Sequence, residues 1–298
     1  MNETIRDNFA AVGEYLRARF PLSSFVPLSI ILAVCAVAVN GHYSGTPGDS
    51  FSYILGFSAL FLFLLRLRLF DEVKDYEHDS KYYPHRPVQR NVVTIRGIRK
   101  AIATILIAES GIALVAGNTD TAILFLVSVA YSILMYKEFF VRDWLRRRFS
   151  AYIFLHELLV LPLFAYVASF GGPVIRGIGN EYFILLLLFL GASIFSLEIA
   201  RKVRDRGNEE AAMDTYSSQY GIAGAALLLF AVLLAAFFSF FRLADISWFW
   251  LPAIFALSIP FVAGYAFQVS GLRAKTLFAF TIALVFGMNI FHAVRFLI

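Results

Sequence analysis

LFDEVKDYEHDSKYYPHRPVQRNVVT, residues 69–94, is the stretch from which the rest of the chain is read. It starts where an apolar run ends. It then places five carboxylates, Asp71, Glu72, Asp75, Glu77 and Asp79, within nine residues, and it closes on His85-Arg86-Pro87 and Arg90. At 100° per residue, Asp71, Glu72, Asp75, His78 and Asp79 share one face of a helix. Like charges one turn apart destabilise a helix, and a bound cation relieves them. Oxygen-only donors suit Mg²⁺, which takes a few carboxylates, its own waters and the phosphates of a substrate. The plain alternative is a solvated acidic helix end. The position of the cluster, where an apolar span meets water, favours the cation. His78 is read as a hydrogen-bond partner or weak base rather than a ligand.

Composition sets the class. The chain has 298 residues, 59% of them hydrophobic, with mean hydropathy +0.72, 32 Phe and 16% charged residues. Soluble domains carry about 25% charged residues, so this is a polytopic membrane protein. The single cysteine, Cys35, lies in an apolar run, which excludes a disulfide framework and a cysteine metal site. No secretory signal pattern is evident.

Residues 1–20 form an amphipathic N-terminal segment, with Phe9, Val12, Tyr15 and Leu16 at helical spacing, read as a helix on the membrane surface. Residues 21–298 form the membrane domain. Nine apolar stretches follow, near 21–39, 51–69, 100–116, 121–136, 151–170, 182–198, 222–241, 247–267 and 276–296. Most approach the roughly 20 residues needed to cross the hydrocarbon core. Alternate connections hold the cations: three Lys/Arg precede the first span and nine lie in 66–100. Lys137, Arg142, Arg146, Arg147 and Arg148 follow the fourth span, and Arg201, Lys202, Arg204 and Arg206 the sixth. Arg273 and Lys275 precede the ninth, while the other connections contain only Arg176 and Arg242. The positive-inside rule then puts the N-terminus in the cytoplasm and, with nine spans, the C-terminus outside, in what is taken as a prokaryotic plasma membrane. The net charge of +5 is thus a topology signal, and nucleic-acid binding is not invoked.

A second charged segment, SLEIARKVRDRGNEEAAMDTYSSQYG, residues 196–221, lies on the same side. Glu198, Arg201, Lys202 and Asp205 share one helical face, so the two charged faces can meet at one cytoplasmic mouth. The fourth span ends there too, with Tyr131-Ser132 and Tyr136-Lys137.

Over nearly its whole length the chain resembles the UbiA superfamily of intramembrane prenyltransferases, a bundle of nine helices with an active-site mouth on the cytoplasmic side. The family motif Asn-Asp-x-x-Asp-x-x-x-Asp reads here Asp71-Glu72-Val73-Lys74-Asp75-Tyr76-Glu77-His78-Asp79. The downstream Arg-Pro motif reads Arg86-Pro87-Val88-Gln89-Arg90-Asn91-Val92-Val93-Thr94, with Asn91 in place of Gly. Tyr131-Ser132 with Lys137 resembles the family's Tyr-(Ser/Thr)…Lys-Arg segment. The second motif, usually spaced aspartates, departs: Glu198, Arg201 and Asp205 stand in those places. The resemblance implies Mg²⁺-dependent transfer of an isoprenoid chain from a prenyl diphosphate to a small aromatic or lipidic acceptor. It implies Asp71, Glu72, Asp75, Asp79 and Glu198 as catalytic carboxylates, with Glu72, Asp75, Asp79 and Asp205 as metal ligands. A basic clamp of Arg68, Lys81, Arg86, Lys137, Arg201 and Lys202, with Tyr131, would hold the diphosphate. Arg201 cannot ligate a metal, and with Lys202 it offers the charge that a second Mg²⁺ would otherwise supply.

Other polar residues stay open between two roles. Arg66 and Arg68 either snorkel to headgroups or bind substrate phosphate. Arg142–Arg148 is read as a lipid-headgroup cluster. Glu109, His156 and Glu157 lie inside spans, where ionisable groups face a cavity or a partner; the last two either serve an acceptor or form an ion pair. His292 and Arg295 are read as interfacial, and Asp214-Thr215-Tyr216 as a helix cap. The rival functions are terpenoid cyclisation or a polyprenyl-phosphate transferase on the same fold, a catalytically dead lipid-binding relative, and a transporter for a cation or metabolite. A transporter more often carries its ionisable groups near the midplane on broken helices.

Overall fold

The computed structural model describes residues 3–174, 179–205, 215–247, 251–269 and 273–297. Arg176, Arg206 and Asp214 lie outside the described residues. The secondary structure among those residues is helical throughout: α1 (Glu3–Arg19), α2 (Leu22–Ser44), α3 (Ser50–Lys74), α4 (Tyr76–Tyr82), α5 (Ile95–Val115), α6 (Thr119–Tyr136), α7 (Arg142–Arg146), α8 (Phe149–Glu157), α9 (Val160–Ala168), α10 (Glu181–Arg201), α11 (Tyr216–Ala244), α12 (Leu251–Ala266) and α13 (Ala274–Leu297).

Each of the nine apolar stretches carries a helix. Seven spans among the described residues have the length and apolarity to cross a membrane: α2, α3, α6, α8 with α9, α10, α11 and α13. The two outside that set are α5, which contains Arg96, Arg99, Lys100 and Glu109, and α12, with 16 residues. Among the described residues, length and composition alone thus mark seven of the nine stretches as crossings.

The helices begin where the sequence supplies caps. Asp49, Thr94, Asn118 and Asn180 accept hydrogen bonds from backbone N–H groups at the starts of α3, α5, α6 and α10. Thr215 opens α11 through a reciprocal pair with Ser218, as expected for a cap at that position.

α2 is the hub. It packs on α3, α9, α10 and α13, so the first and last spans meet and close the bundle. Cys35 to Val39 of α2 are all buried, as befits a central helix without a polar face. The chain after α9 passes so near α2 that a β-carbon on Gly171 would lie 2.2 Å from the Val37 carbonyl oxygen. Asn40 seals this contact by donating to the Ala168 and Gly172 carbonyls, at 3.0 and 3.1 Å. Outward, Ile107, Leu114, Leu126 and Leu227 are each more than 60% exposed. In lipid that surface is solvated rather than wasted.

An ion pair lies inside the bundle. Arg66 on α3 donates from Nε to Glu109 on α5 at 2.7 Å and from Nη1 to Ser132 on α6 at 2.9 Å. All three side chains are buried. Arg66 thus neither snorkels nor reaches a phosphate: it ties three helices together below the acidic motif. His292, expected at the interface, is likewise buried, packed among Phe189, Phe240 and Phe296.

Glu109→Ala would strand the Arg66 charge. Breaking a buried pair from one side costs about 3–5 kcal/mol, so the variant should unfold well below wild type when heated in detergent. Arg66→Met with Glu109→Met removes both charges and should recover most of that loss.

Candidate active site

The acidic stretch does not run as one straight helix. α3 ends at Lys74, Asp75 takes φ −99° and ψ 12°, and α4 restarts at Tyr76. This break separates the carboxylates that helical spacing had placed on one face. Glu72 and Asp79 are buried, whereas Asp71 keeps 41% of its side-chain surface exposed.

Arginines hold the buried pair. Arg19, the last residue of α1, bonds from Nε to Glu72 Oε1 at 2.7 Å and lies 3.6 Å from Asp79. Arg68 reaches Glu72 at 3.1 Å and Asp71 at 3.5 Å. Arg86 pairs closely with Asp79, its guanidinium 3.8 Å from the centre of the Tyr83 ring. Packing explains how Arg19 arrives from so far along the chain. Tyr15 of α1 is buried with Leu69, Val88, Ile98 and Ile105 in a small second core. α1 is therefore docked on one side, while Phe9 and Val12 stay exposed as expected for a surface helix. An ion pair from Arg90 to Glu14, at 2.8 Å, ties the loop after α4 back to it.

Asp75 faces the other way. It lines a cavity of about 1030 Å³ together with Lys74, His78, Arg99, Glu138, Arg142, Phe149 and Tyr152. Burial pushes the Asp75 carboxyl above the ordinary carboxylate range. Asp71, Asp79 and Glu138 add to the rise, and Lys74 opposes it. Glu138 reaches this wall through an unusual turn: Glu138, Phe139 and Phe140 all have positive φ, at 48°, 52° and 59°. That conformation costs roughly 1–2 kcal/mol per residue for L-amino acids. Glu138 is buried and holds Arg142 at 3.2 Å, and the half-exposed Arg142 also lines the cavity.

The two charged segments lie within electrostatic reach of each other. Asp71 senses the charges of Lys202 and Glu198 from the end of α10, and Tyr152 of α8 senses Lys74, Asp71, Lys202 and Asp75 together. Within the second segment Glu198 is already neutralised, by Arg201 at 2.7 Å and Lys202 at 2.9 Å. Asp205 has a separate partner: it accepts from the Ala274 backbone N–H at 2.9 Å, holding the start of α13. Tyr131 donates to the Leu155 carbonyl at 2.8 Å, linking α6 to α8. Lys137 and Lys81 lie over the rings of Tyr136 and Tyr82, at 5.3 and 5.0 Å. His78 is 3.5 Å from Asp79 and packs on Tyr82.

This arrangement brings Asp71, Glu72, Asp75, Asp79, Arg68, Arg86, Glu198, Arg201 and Lys202 to one end of the bundle, and leaves Asp205 and Tyr131 in structural contacts. A model of the UbiA prenyltransferase family matches residues 26–284. The chain belongs to that family. It is an integral membrane prenyltransferase by that membership and by its apolar helices. Two solved structures share the fold at 15% identity. One, of digeranylgeranylglyceryl phosphate synthase, has a TM-score of 0.62 and covers 97% of this chain and 99% of its own. The other, an apo UbiA homolog from Aeropyrum pernix K1, has a TM-score of 0.58 and covers 88% and 96%. No curated protein sequence matches the chain.

The family's glycine position, taken here by Asn91, has φ 58°. Asn is among the few side chains that visit this left-handed region, so the substitution keeps the turn. Four residues of the site escaped the sequence reading in this role: Arg19, Glu138, Arg142 and Tyr152. Only Tyr152 had a usable signal, one turn before His156 on an apolar helix.

Folding raises the Asp75 pKa, so the folded state holds that proton more tightly than the unfolded chain. The carboxylate therefore opposes folding above its folded pKa and contributes nothing below its unfolded one. Asp75→Asn should raise the melting temperature of the ligand-free protein at neutral pH. Melting curves against pH should show the advantage closing as pH falls through the carboxylate range.

Proposed function

We propose that this UbiA protein transfers an isoprenoid chain from a prenyl diphosphate to a small aromatic or lipidic acceptor, with Mg²⁺ at the diphosphate. The observation that carries this reading is the placement of Asp75 and Lys74 in the wall of a cavity of about 1030 Å³, with Asp71 and Lys202 within electrostatic reach. That volume lies at the upper end of small-molecule sites, about 300–1,000 Å³. The topology read from the loops would place this mouth on the cytoplasmic side.

The donor set fits a hard cation. Asp75 has the carboxylates Asp71, Asp79 and Glu138 as neighbours, with Lys74 opposing them. Mg²⁺ needs one or two protein carboxylates, waters and phosphate oxygens, so the fit does not require a closed protein cage. Among the described residues no three acidic or histidine side chains close on a common point. Asp75 with Asp71 would hold the ion, and Glu72 and Asp79 would join as their arginines turned to the diphosphate. Asp205, already bound at α13, is the weakest of the expected ligands. Bound there, Mg²⁺ would neutralise charge on the leaving diphosphate.

The chain's own residues supply the rest. Lys74 and Lys202 approach the mouth from α3 and α10. Arg19, Arg68 and Arg86 have guanidinium groups suited to phosphate oxygens. Arg201 stands where other family members have an acidic group, and Lys202 follows it. They compensate charge that a second metal would otherwise meet. Lys81 and Lys137 lie at the rim and complete the basic surround. The allylic C–O bond breaks as charge collects on this preorganised set, with little reorganisation needed.

Geranylgeranyl diphosphate should bind the detergent-purified protein in Mg²⁺. Asp75→Asn or EDTA should weaken binding by about tenfold, about 1.4 kcal/mol, read by titration calorimetry. Arg201→Ala should also weaken it. Equal affinity in EDTA would assign the head group to the basic residues alone. Loss of binding under all conditions would overturn the donor assignment. Product analysis separates transfer from cyclisation, which consumes no acceptor.

A further inference from the structure

Among the described residues, α1 takes no part in the extensive helix packing that joins the spans. Its hold on the rest of the chain is local. Tyr15 and Leu16 pack on the small second core beside Leu69 and Val88. Glu14 pairs with Arg90 at the surface, a contact of little energetic worth. Phe9 and Val12 face outward, and apolar side chains on such a helix are equally well placed in the headgroup region of a membrane. Segments with few buried apolar contacts open at the low end of a protein's stability range.

The strongest contact α1 makes is ionic, and it falls on the first motif. Arg19 Nε meets Glu72 Oε1 at 2.7 Å, and Nη2 lies 3.6 Å from Asp79 Oδ2. One guanidinium thus bridges two carboxylates that stand on either side of the helix break at Asp75. Glu72 has no exposed side-chain surface, yet its second oxygen, Oε2, has no hydrogen-bond partner among the described residues. A buried carboxylate oxygen without a donor is costly, and it leaves Glu72 with capacity for a further cation. The link from α1 to α2 supplies a pivot. Phe20 is fully buried, stacked on Phe25 at 3.9 Å and edge-on to Phe61 at 5.5 Å. Pro21 is extended, with ψ 115°. The anchor therefore lies behind Arg19, and α1 can tilt off the motif without disturbing the first span.

We propose that α1 is a strap over the first motif, latched by Arg19 and released when a divalent cation takes Glu72 and Asp79. The inference rests on the prenyl-transfer reading, in which those two carboxylates join Asp75 and Asp71 around the ion. Arg19 and the ion then compete for the same oxygens. Once Arg19 lets go, the hold of Tyr15 and Leu16 competes with the membrane surface that Phe9 and Val12 favour, and the guanidinium is free to turn to the diphosphate. By linkage, whatever loosens α1 tightens the ion, and the reverse. A competent state populated at about 10% shows an apparent affinity about tenfold below its intrinsic value. The strap keeps two buried carboxylates neutralised until the site is charged.

The test uses the full chain in detergent, with Mg²⁺ and Mn²⁺ as probes. Gly13 of α1, where a β-carbon would meet nothing within 4 Å, accepts a spin label as Gly13→Cys, and the buried Cys35 is spared. The label should be restrained in EDTA and freed by saturating Mg²⁺. Mn²⁺ binding is titrated on unlabelled protein from the resonance of the free ion. Arg19→Gln removes the latch, and Leu16→Ala loosens α1 without changing any charge. Both should bind Mn²⁺ about tenfold more tightly than wild type, and in both the label should already be mobile in EDTA. A label that stays restrained while the ion binds would overturn the strap and leave the prenyl-transfer reading intact. So would tighter Mn²⁺ binding in Arg19→Gln but not in Leu16→Ala, the mark of simple charge removal. Failure of every form to bind Mn²⁺ would overturn the metal part of that reading, and this inference with it.

Discussion

Charge held at the end of an apolar bundle has to be neutralised by groups within reach, and here arginine does most of that work. Glu72 is met by Arg19 and Arg68, Asp79 by Arg86 and Arg19, and Glu198 by Arg201 and Lys202. Much of the local architecture follows from these pairs. α1 docks across the first motif because its terminal arginine finds two carboxylates there and its Tyr15 finds a small core. The helix break at Asp75 separates the carboxylates satisfied by arginine from the one that faces the cavity. Asp75 itself lies among the carboxylates Asp71, Asp79 and Glu138, with Lys74 opposing them.

The same neutralisation gives the altered second motif a physical sense. Where spaced aspartates would need a metal to coexist, Glu198 with two cations at one helical turn forms a closed, self-compensated unit. Its surplus positive charge points the segment toward anions. Lys202 is shared: it neutralises Glu198 and is also felt by Asp71, so the two halves of the mouth are electrostatically coupled.

Much of this was legible in the sequence, and the limits have identifiable causes. The apolar stretches found their helices because hydrophobic runs of membrane length have few alternatives. The acidic motif and the Arg-Pro segment came together because they are adjacent in the chain. Arg19 was out of reach: 53 positions separate it from Glu72, and no local pattern announces a contact formed by the docking of a separate helix. The single acidic face failed at Asp75, because helical periodicity assumes continuous geometry. Glu138 depends on three consecutive left-handed residues, a conformation that propensity argues against at every one of them. Asp205 shows the opposite error. A motif position carried over by spacing met a helix N-terminus first, and the backbone N–H of Ala274 took the carboxylate.

The Arg66–Glu109 contact bears on how the chain enters the membrane. An arginine at the centre of a lone helix costs about 2.5–3.5 kcal/mol on insertion scales, and α5 with its acidic residue is the less apolar of the two. α3 and α5 each offer the bilayer a segment that is poorly suited to it alone. Paired, they present a closed dipole with little exposed charge. The natural unit of insertion is therefore the α3–α5 hairpin, with the α4 segment and the acidic-motif loop carried at its turn. The order in which the spans leave the translocon would then already have begun to assemble the site, before α10 arrives with the second charged segment.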